Sequence, residues 1–190
     1  VIVLCILVLG KTGNKPEKKN QTVLNQHTDA GIIEVHFKKE GTFMSVDMTK
    51  WCEIAKANMG KRPAGEGRLG GKICIVTGAA QGFGKGIAEE LYKEGASIVI
   101  ADMNEPLAKQ VAAEMGERAV AIAVNVSDEE SVAHMVAQTV ELFGGLDLML
   151  SNAGVVRSGP LAQVEKKDFD FVTSVNYTGF FLCAKYAAII

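Results

Sequence analysis

With 48% hydrophobic residues over 190 positions, the chain can bury one good core, or one domain and part of another. Its 20 basic residues are nearly matched by 22 acidic ones and form no lysine-arginine block, which excludes a nucleic-acid partner. Cys5, Cys52, Cys74 and Cys183 are scattered, make no C-x-x-C pair and read as small buried hydrophobes of a reducing compartment, so the protein is expected in the cytoplasm.

The first nine residues, VIVLCILVL, are all apolar. They are too few for a membrane span, which needs about 20, and no positive region or cleavage site marks a signal peptide, so they are expected to form a strand and no membrane partner is expected. Gly10-Lys11-Thr12 resembles the end of a P-loop, but that motif needs a glycine where Cys5 stands, and the match is rejected. Asn14 to Gln26 is polar and lysine-rich, as in an exposed loop. Gly31 to Phe37 and Thr42 to Met48 can form strands, and Thr49 to Met59 a short helix with Trp51, Ile54 and Ala55 partly buried. His27 and His36 have no cysteine or carboxylate at ligand spacing, and no metal is expected. Gly60 to Gly71 has the glycine content of a linker. Residues 1–70 are therefore read as an N-terminal segment and linker, and 71–190 as the functional domain.

That domain opens with KICIVTGAAQGFGKGIAEELYKEGASIVIAD, residues 72 to 102. Lys72 to Val76 suits a strand buried on both faces of a parallel sheet and ends in a turn at Thr77-Gly78. Gly78, Gly82 and Gly84 let the backbone turn tightly and approach a bound group, while the helix opening at about Phe83 aims its unpaired N–H groups and positive dipole end at the same spot, as a pyrophosphate requires. The helix stops at Gly95, and a second buried run, Ser97 to Ala101, ends at Asp102. Asp102 stands 18 positions after Gly84, close to the spacing at which an acid takes the ribose hydroxyls of an adenosine. Its charge would repel a 2′-phosphate, and Gln81 and Met103 occupy the places where an arginine would bind one, so NAD is favoured over NADP.

The alternation continues. Asn104 caps a helix that stops at Gly116, and Ala119 to Val124 is a third buried strand. Ser127-Asp128-Glu129-Glu130 reads as a capping box for a helix running to Gly144-Gly145, and Leu146 to Ser151 is a fourth strand. Such alternation predicts an α/β fold of the Rossmann type, a doubly wound parallel sheet between two helical layers, with strand order 3-2-1-4 and the ligand crevice where the order reverses. Asn125, after the third strand, is either a turn residue or an amide offered to the adenine edge. Glu165 to Phe171 leads into a long amphipathic helix bearing Val172, Val175, Tyr177, Phe181, Leu182 and Tyr186.

Residues 77 to 84, T-G-x-x-x-G-x-G, resemble the short-chain dehydrogenase/reductase family position by position, whereas the longer-chain epimerase pattern would need glycine at Gln81. Ser151-Asn152-Ala153-Gly154 resembles that family's N-N-A-G, which implies that Asn152 ties the sheet together and that Ala153 and Gly154 lie along the cofactor. In the family, position 125 is usually Asp; an amide there keeps the acceptor and adds a donor. Asn176, in S-V-N-Y-T-G, matches the helix asparagine that holds a water of the proton relay. The cofactor-binding set implied is Gly78, Gln81, Gly82, Phe83, Gly84, Asp102, Met103, Asn125, Val126, Asn152, Ala153 and Gly154, with Asn176 catalytic. The aromatic stripe of the last helix implies its burial against the sheet, and the resemblance implies a homodimer or homotetramer.

The family oxidises alcohols with a Ser and a Tyr-x-x-x-Lys pair. Four residues after Tyr92, Tyr177 and Tyr186 stand Ala96, Phe181 and Ile190, so no tyrosine here qualifies. The expectation is an NAD-dependent oxidoreductase acting on an alcohol or ketone, seen as an N-terminal part. GEGRLGGK, IADMNE and VNYTGFFLCAKYA look most like the sorbitol-6-phosphate dehydrogenase group and the dehydrogenase half of bifunctional aldolase/dehydrogenases, with residues 1–70 as the tail of an upstream domain. A start at Val1, an end within an apolar helix and a four-strand sheet with a bare hydrophobic edge all fit a fragment that is poorly soluble alone. The competing reading is a dinucleotide-binding sensor without turnover.

Overall fold

The computed structural model describes residues 5–8, 34–39, 42–62 and 65–190. In chain order these form β1 (Cys5–Val8), β2 (Glu34–Lys39), β3 (Thr42–Asp47), α1 (Met48–Asn58), β4 (Ile73–Thr77), α2 (Gly82–Lys93) and β5 (Ser97–Asp102). There follow α3 (Glu105–Met115), β6 (Ala119–Ala123), α4 (Glu129–Phe143), β7 (Leu148–Ser151), α5 (Lys166–Thr173) and α6 (Gly179–Ile189). The stretch from 14 to 26 and His27 lie outside the described residues.

β4 is buried at every position because helices cover both faces of the sheet. Cys74 and Val76 pack with Ala88 of α2 and Ala108 and Val111 of α3, while Ile75 and Met149 face Met135 and Val136 of α4 and Tyr186 of α6. The strand order is β1-β7-β4-β5-β6, with β6, β5, β4 and β7 parallel in the expected 3-2-1-4 arrangement of a Rossmann fold. β6 was expected to be fully buried; as the outer strand it buries only Ile122. Cys52, Cys74 and Cys183 are buried free thiols.

Three expectations need correction. The hydrophobic edge of β7 is not bare, because β1 pairs with it antiparallel, Cys5 opposite Ser151 and Val8 opposite Leu148. Asp128, not Ser127, caps α4: its carboxylate accepts from the Ser131 N–H at 2.8 Å, since Ser127 is turned back onto Asn125. The aromatic helix buries only part of its stripe. Leu182 and Tyr186 are inside, whereas Tyr177 and Phe181 are 74% and 55% exposed.

The segment before β4 is pinned to the sheet despite its linker composition. Met48, Cys52 and Ala55 of α1 are buried, and Met48 joins the α4–α6 side of the core. Arg62 forms a bidentate pair with Asp147 at 2.6 and 3.1 Å, and Arg68 another with Glu94 at 2.8 and 3.0 Å. Gly67 sits so close to the Glu94 carbonyl that a Cβ would lie 2.4 Å from its oxygen.

Candidate functional site

A cavity of about 560 Å³ opens at the carboxyl ends of the parallel strands, where the strand order reverses between the neighbours β4 and β7. That volume is within the ordinary range for a small-molecule site, about 300–1,000 Å³. Every residue named from the sequence as cofactor-binding or catalytic lines it: Gly78, Gln81 to Gly84, Asp102-Met103, Asn125-Val126, Asn152-Ala153-Gly154, and Asn176. Val155, Val156, Phe171 and Val175 also line it, and the sequence reading missed them. Their only local signal is apolar character, which a core residue shares.

The turn between β4 and α2 divides its glycines by task. Gly78, at φ +65°, packs on Ala153, and a Cβ on Gly84 would lie 2.2 Å from the Gly78 carbonyl oxygen and 2.5 Å from the Asn152 amide nitrogen. These two glycines close the turn on itself. Gly82, at φ +59°, would carry a Cβ into open space. Gln81 precedes α2 in extended conformation and gives the first-turn amides of the helix no side-chain cap.

Asn152 and Thr77 lock the floor. The Thr77 hydroxyl accepts from the Asn152 and Ala153 N–H groups at 3.0 and 3.1 Å, and the Asn152 side chain donates to the carbonyls of Thr77 and Gly78 at 2.9 and 3.3 Å. The rim is set by Asp102, whose carboxylate accepts from Ala80 N–H at 3.1 Å and Asn104 N–H at 2.9 Å. Asp102 is thus tied to the glycine turn rather than turned to bulk water. Lys85, which directly follows the glycine turn, is drawn to Glu114 at 3.2 Å.

At the other end, α5 and α6 are joined by a π-helical turn over Ser174–Thr178. Such turns cost regular hydrogen bonding and concentrate at functional sites. Asn176 lies in this one and clamps the loop after β7: its Oδ1 accepts from Val155 N–H at 2.8 Å and its Nδ2 donates to Val155 O at 2.9 Å. Beneath it, Glu129 accepts from Lys185 at 2.5 Å and from the Tyr186 hydroxyl at 3.0 Å, joining α4 to α6. Burial first, then the charge and hydrogen bond of Glu129, push the Tyr186 phenol well above its usual range, so it stays a neutral donor. Among the described residues no group of three or more His, Cys, Asp or Glu could hold a metal, and no helix is long and apolar enough to cross a membrane.

An open Rossmann sheet with a glycine turn, an acid-tipped second strand and an N-A-G loop converging on one crevice defines a class of dinucleotide-fold proteins. A family model described as short chain dehydrogenase matches residues 72–189, and the chain belongs to that family. Tropinone reductase-like 1 of Erythroxylum coca is 41% identical over 124 residues, which cover 63% of this chain and 46% of the relative. Sorbitol dehydrogenase of Cereibacter sphaeroides is 36% identical over 112 residues, covering 59% and 44%. A crystal structure of 3-ketoacyl-(acyl-carrier-protein) reductase from Brucella melitensis, complexed with NADH, superposes with a TM-score of 0.60 at 36% identity, covering 62% of this chain and 48% of that one. The chain spans about half the length of the curated relatives it matches.

Proposed function

We propose that the chain forms the dinucleotide-binding part of an oxidoreductase that moves a hydride between NAD and an alcohol or ketone, with a polyol or sugar-alcohol phosphate as the substrate class. The observation that carries this reading is the open space at Gly82 above the uncapped start of α2, one turn from a carboxylate fixed to the same loop. A diphosphate suits the amides, and the ribose diol suits Asp102. Met103 beside it is 72% exposed, Lys85 is engaged with Glu114, and among the described residues Asp102 makes no ion pair, which supports a carboxylate that repels a 2′-phosphate. The relative named sorbitol dehydrogenase supports the polyol class.

The nicotinamide, when bound, supplies the hydride acceptor. Ala153 and Gly154 give its half of the cavity a floor with little side chain, Thr77 and Asn152 hold that floor rigid, and Asn176 positions the Val155 loop. Asn176 is proposed as a positioning residue for the proton relay. Residues 71–190 are proposed as the dinucleotide-binding unit proper, with 1–70 as an N-terminal segment and linker from the tail of an upstream domain, and the whole in the cytoplasm. Phe169 of α5, Tyr177 of the π-turn and Phe181 of α6, each more than half exposed, are proposed to pair in a homodimer or homotetramer.

Two measurements test this reading. The Asp102→Ala variant is expected to bind NAD about 1 to 3 kcal/mol more weakly, through a lost charge-assisted hydrogen bond, and to discriminate less against NADP. Titration calorimetry with both dinucleotides checks it, alongside a thermal melt to confirm folding; an unchanged NAD/NADP ratio would remove Asp102 from the site. The 190-residue chain, having no Tyr-x-x-x-Lys, is expected to bind NAD without reducing it in the presence of sorbitol or its phosphate, and growth of NADH absorbance would refute that.

A further inference from the structure

β1 breaks the pattern of the other strands in its sheet. β6, β5, β4 and β7 run parallel and are joined through helices, whereas β1 lies antiparallel on the outer side of β7, from Cys5 opposite Ser151 to Val8 opposite Leu148. It also lies outside residues 72–189, the stretch that the family model matches.

The hand of the crossovers decides which strand that edge suits. α2 and α3 pack on one face of the sheet and carry the chain from β4 through β5 to β6. α4 packs on the opposite face and carries it back across the sheet from β6 to β7. Reversing face and direction together keeps one hand, the right hand that parallel crossovers take. α6 shares the face of α4, with Leu182, Cys183 and Tyr186 in the same core, and touches both β7 and β1. Its first residue, Gly179, sits against Val126 just past the carboxyl end of β6, so the helix leads away from that edge of the sheet. A right-handed crossover through α6 therefore delivers a parallel strand to the outer side of β7, the place β1 holds.

The main chain of β7 carries the docking groups. The Asp147 N–H donates to the Ile73 carbonyl of β4 at 2.9 Å, and by the alternation of a strand Met149 faces β4 as well. Leu148 and Leu150 then turn their N–H and C=O groups outward, opposite Val8 and Ile6. β1 and a parallel newcomer need the same groups, so each excludes the other. We infer that the outer edge of β7 is a docking edge for a parallel strand entering from α6, and that β1 is a detachable cover over it. An apolar edge such as Leu148-Met149-Leu150 left open is a template for pairing with another chain, and β1 closes it without joining the crossover order of the sheet.

The test reads hydrogen exchange at the Leu148, Met149 and Leu150 amides by mass spectrometry on dilute samples, with thermal melts, in the unsubstituted chain and two variants. One variant lacks residues 1–10. The other has residues 1–9 moved behind Ile190 through a loop of about three residues, too short to climb the sheet and start the strand antiparallel. Deletion is expected to leave a cooperative melt and to speed exchange at Leu148 and Leu150 at least tenfold, with Met149 unmoved. The relocated strand is expected to slow both outer amides again to within threefold of the unsubstituted chain. Loss of the cooperative melt on deletion would make β1 a structural member and not a cover, and unmoved exchange at Leu148 and Leu150 would show an edge that needs none. A relocation variant whose outer amides stay fast, folded or not, would show that the edge takes no strand from α6. Each of these three results overturns the inference.

Discussion

Gly84→Ala is expected to unfold or badly loosen the domain, whereas Gly82→Ala is expected to leave it folded and empty its site. The two glycines are two positions apart in one turn, yet the space around them is opposite. A methyl at 84 would sit 2.2 Å from the Gly78 carbonyl oxygen and 2.5 Å from the Asn152 amide, both held by the Thr77 network, so backbone must move rather than a flexible side-chain tip. Overpacking of that kind costs about 3 kcal/mol or more, against which the better helix propensity of alanine returns about 1 kcal/mol. At 82 nothing lies within 4 Å, and the cost is confined to a non-glycine residue at φ +59°, about 1–2 kcal/mol. The methyl there projects into the space over the first amides of α2, where a diphosphate would lie, and is expected to weaken NAD at least tenfold. Urea midpoints and calorimetric titration of both variants check the contrast. Equal stability of Gly84→Ala and the unsubstituted chain, or undiminished NAD affinity in Gly82→Ala, would show that the division of labour in the turn is wrong.

The same contrast marks where local sequence stops being informative. That residues 72 to 102 make strand, turn, helix and strand was legible because each element carries its own signal: a β-branched run, glycines, an amphipathic period, a terminal acid. The gathering of Asp102, Asn125 and Asn152 on one cavity followed from topology, since parallel strands put all their carboxyl ends on one edge. Which glycine packs and which stays open was not legible, because it depends on Asn152, 68 positions beyond Gly84. Nor was the partner of β1. An apolar run announces a strand but not its direction or its neighbour, and only the unpaired side of β7 decides both. The cap of α4 was misplaced by one residue because Ser127 and Asp128 are both good caps, and the loop geometry at Asn125 chose between them. The aromatic stripe misled because period alone cannot say which side of a helix meets the sheet.

Asp147→Ala is expected to be the most damaging substitution outside the cavity, and it joins the fold to the segment before it. Asp147 opens the approach to β7 with its side chain only 11% exposed, and it is held by Arg62 at 2.6 and 3.1 Å, by the Ile73 N–H at 2.9 Å and by Lys72 at 3.4 Å. Burial alone would raise its pKa. The Arg62 hydrogen bond, the Ile73 N–H and the charges of Arg62 and Lys72 together outweigh that and hold the carboxyl below 3.8, its ordinary value. Removing it strands a buried backbone donor and a half-buried guanidinium, a loss of about 3 kcal/mol. Arg62→Ala should cost less, about 1–2 kcal/mol, because Lys72 and Ile73 still serve the carboxylate. The pH dependence has a definite sign. A carboxyl that is more acidic folded than unfolded takes up a proton on unfolding, so its contribution is fully present above about pH 4 and is lost as pH falls through its lower folded pKa. Urea midpoints at pH 7, 4 and 3 are therefore expected to fall more steeply for the unsubstituted chain than for Asp147→Asn, the two curves converging at the acid end. Parallel curves would mean that the carboxylate is not what fastens residue 62 to the sheet.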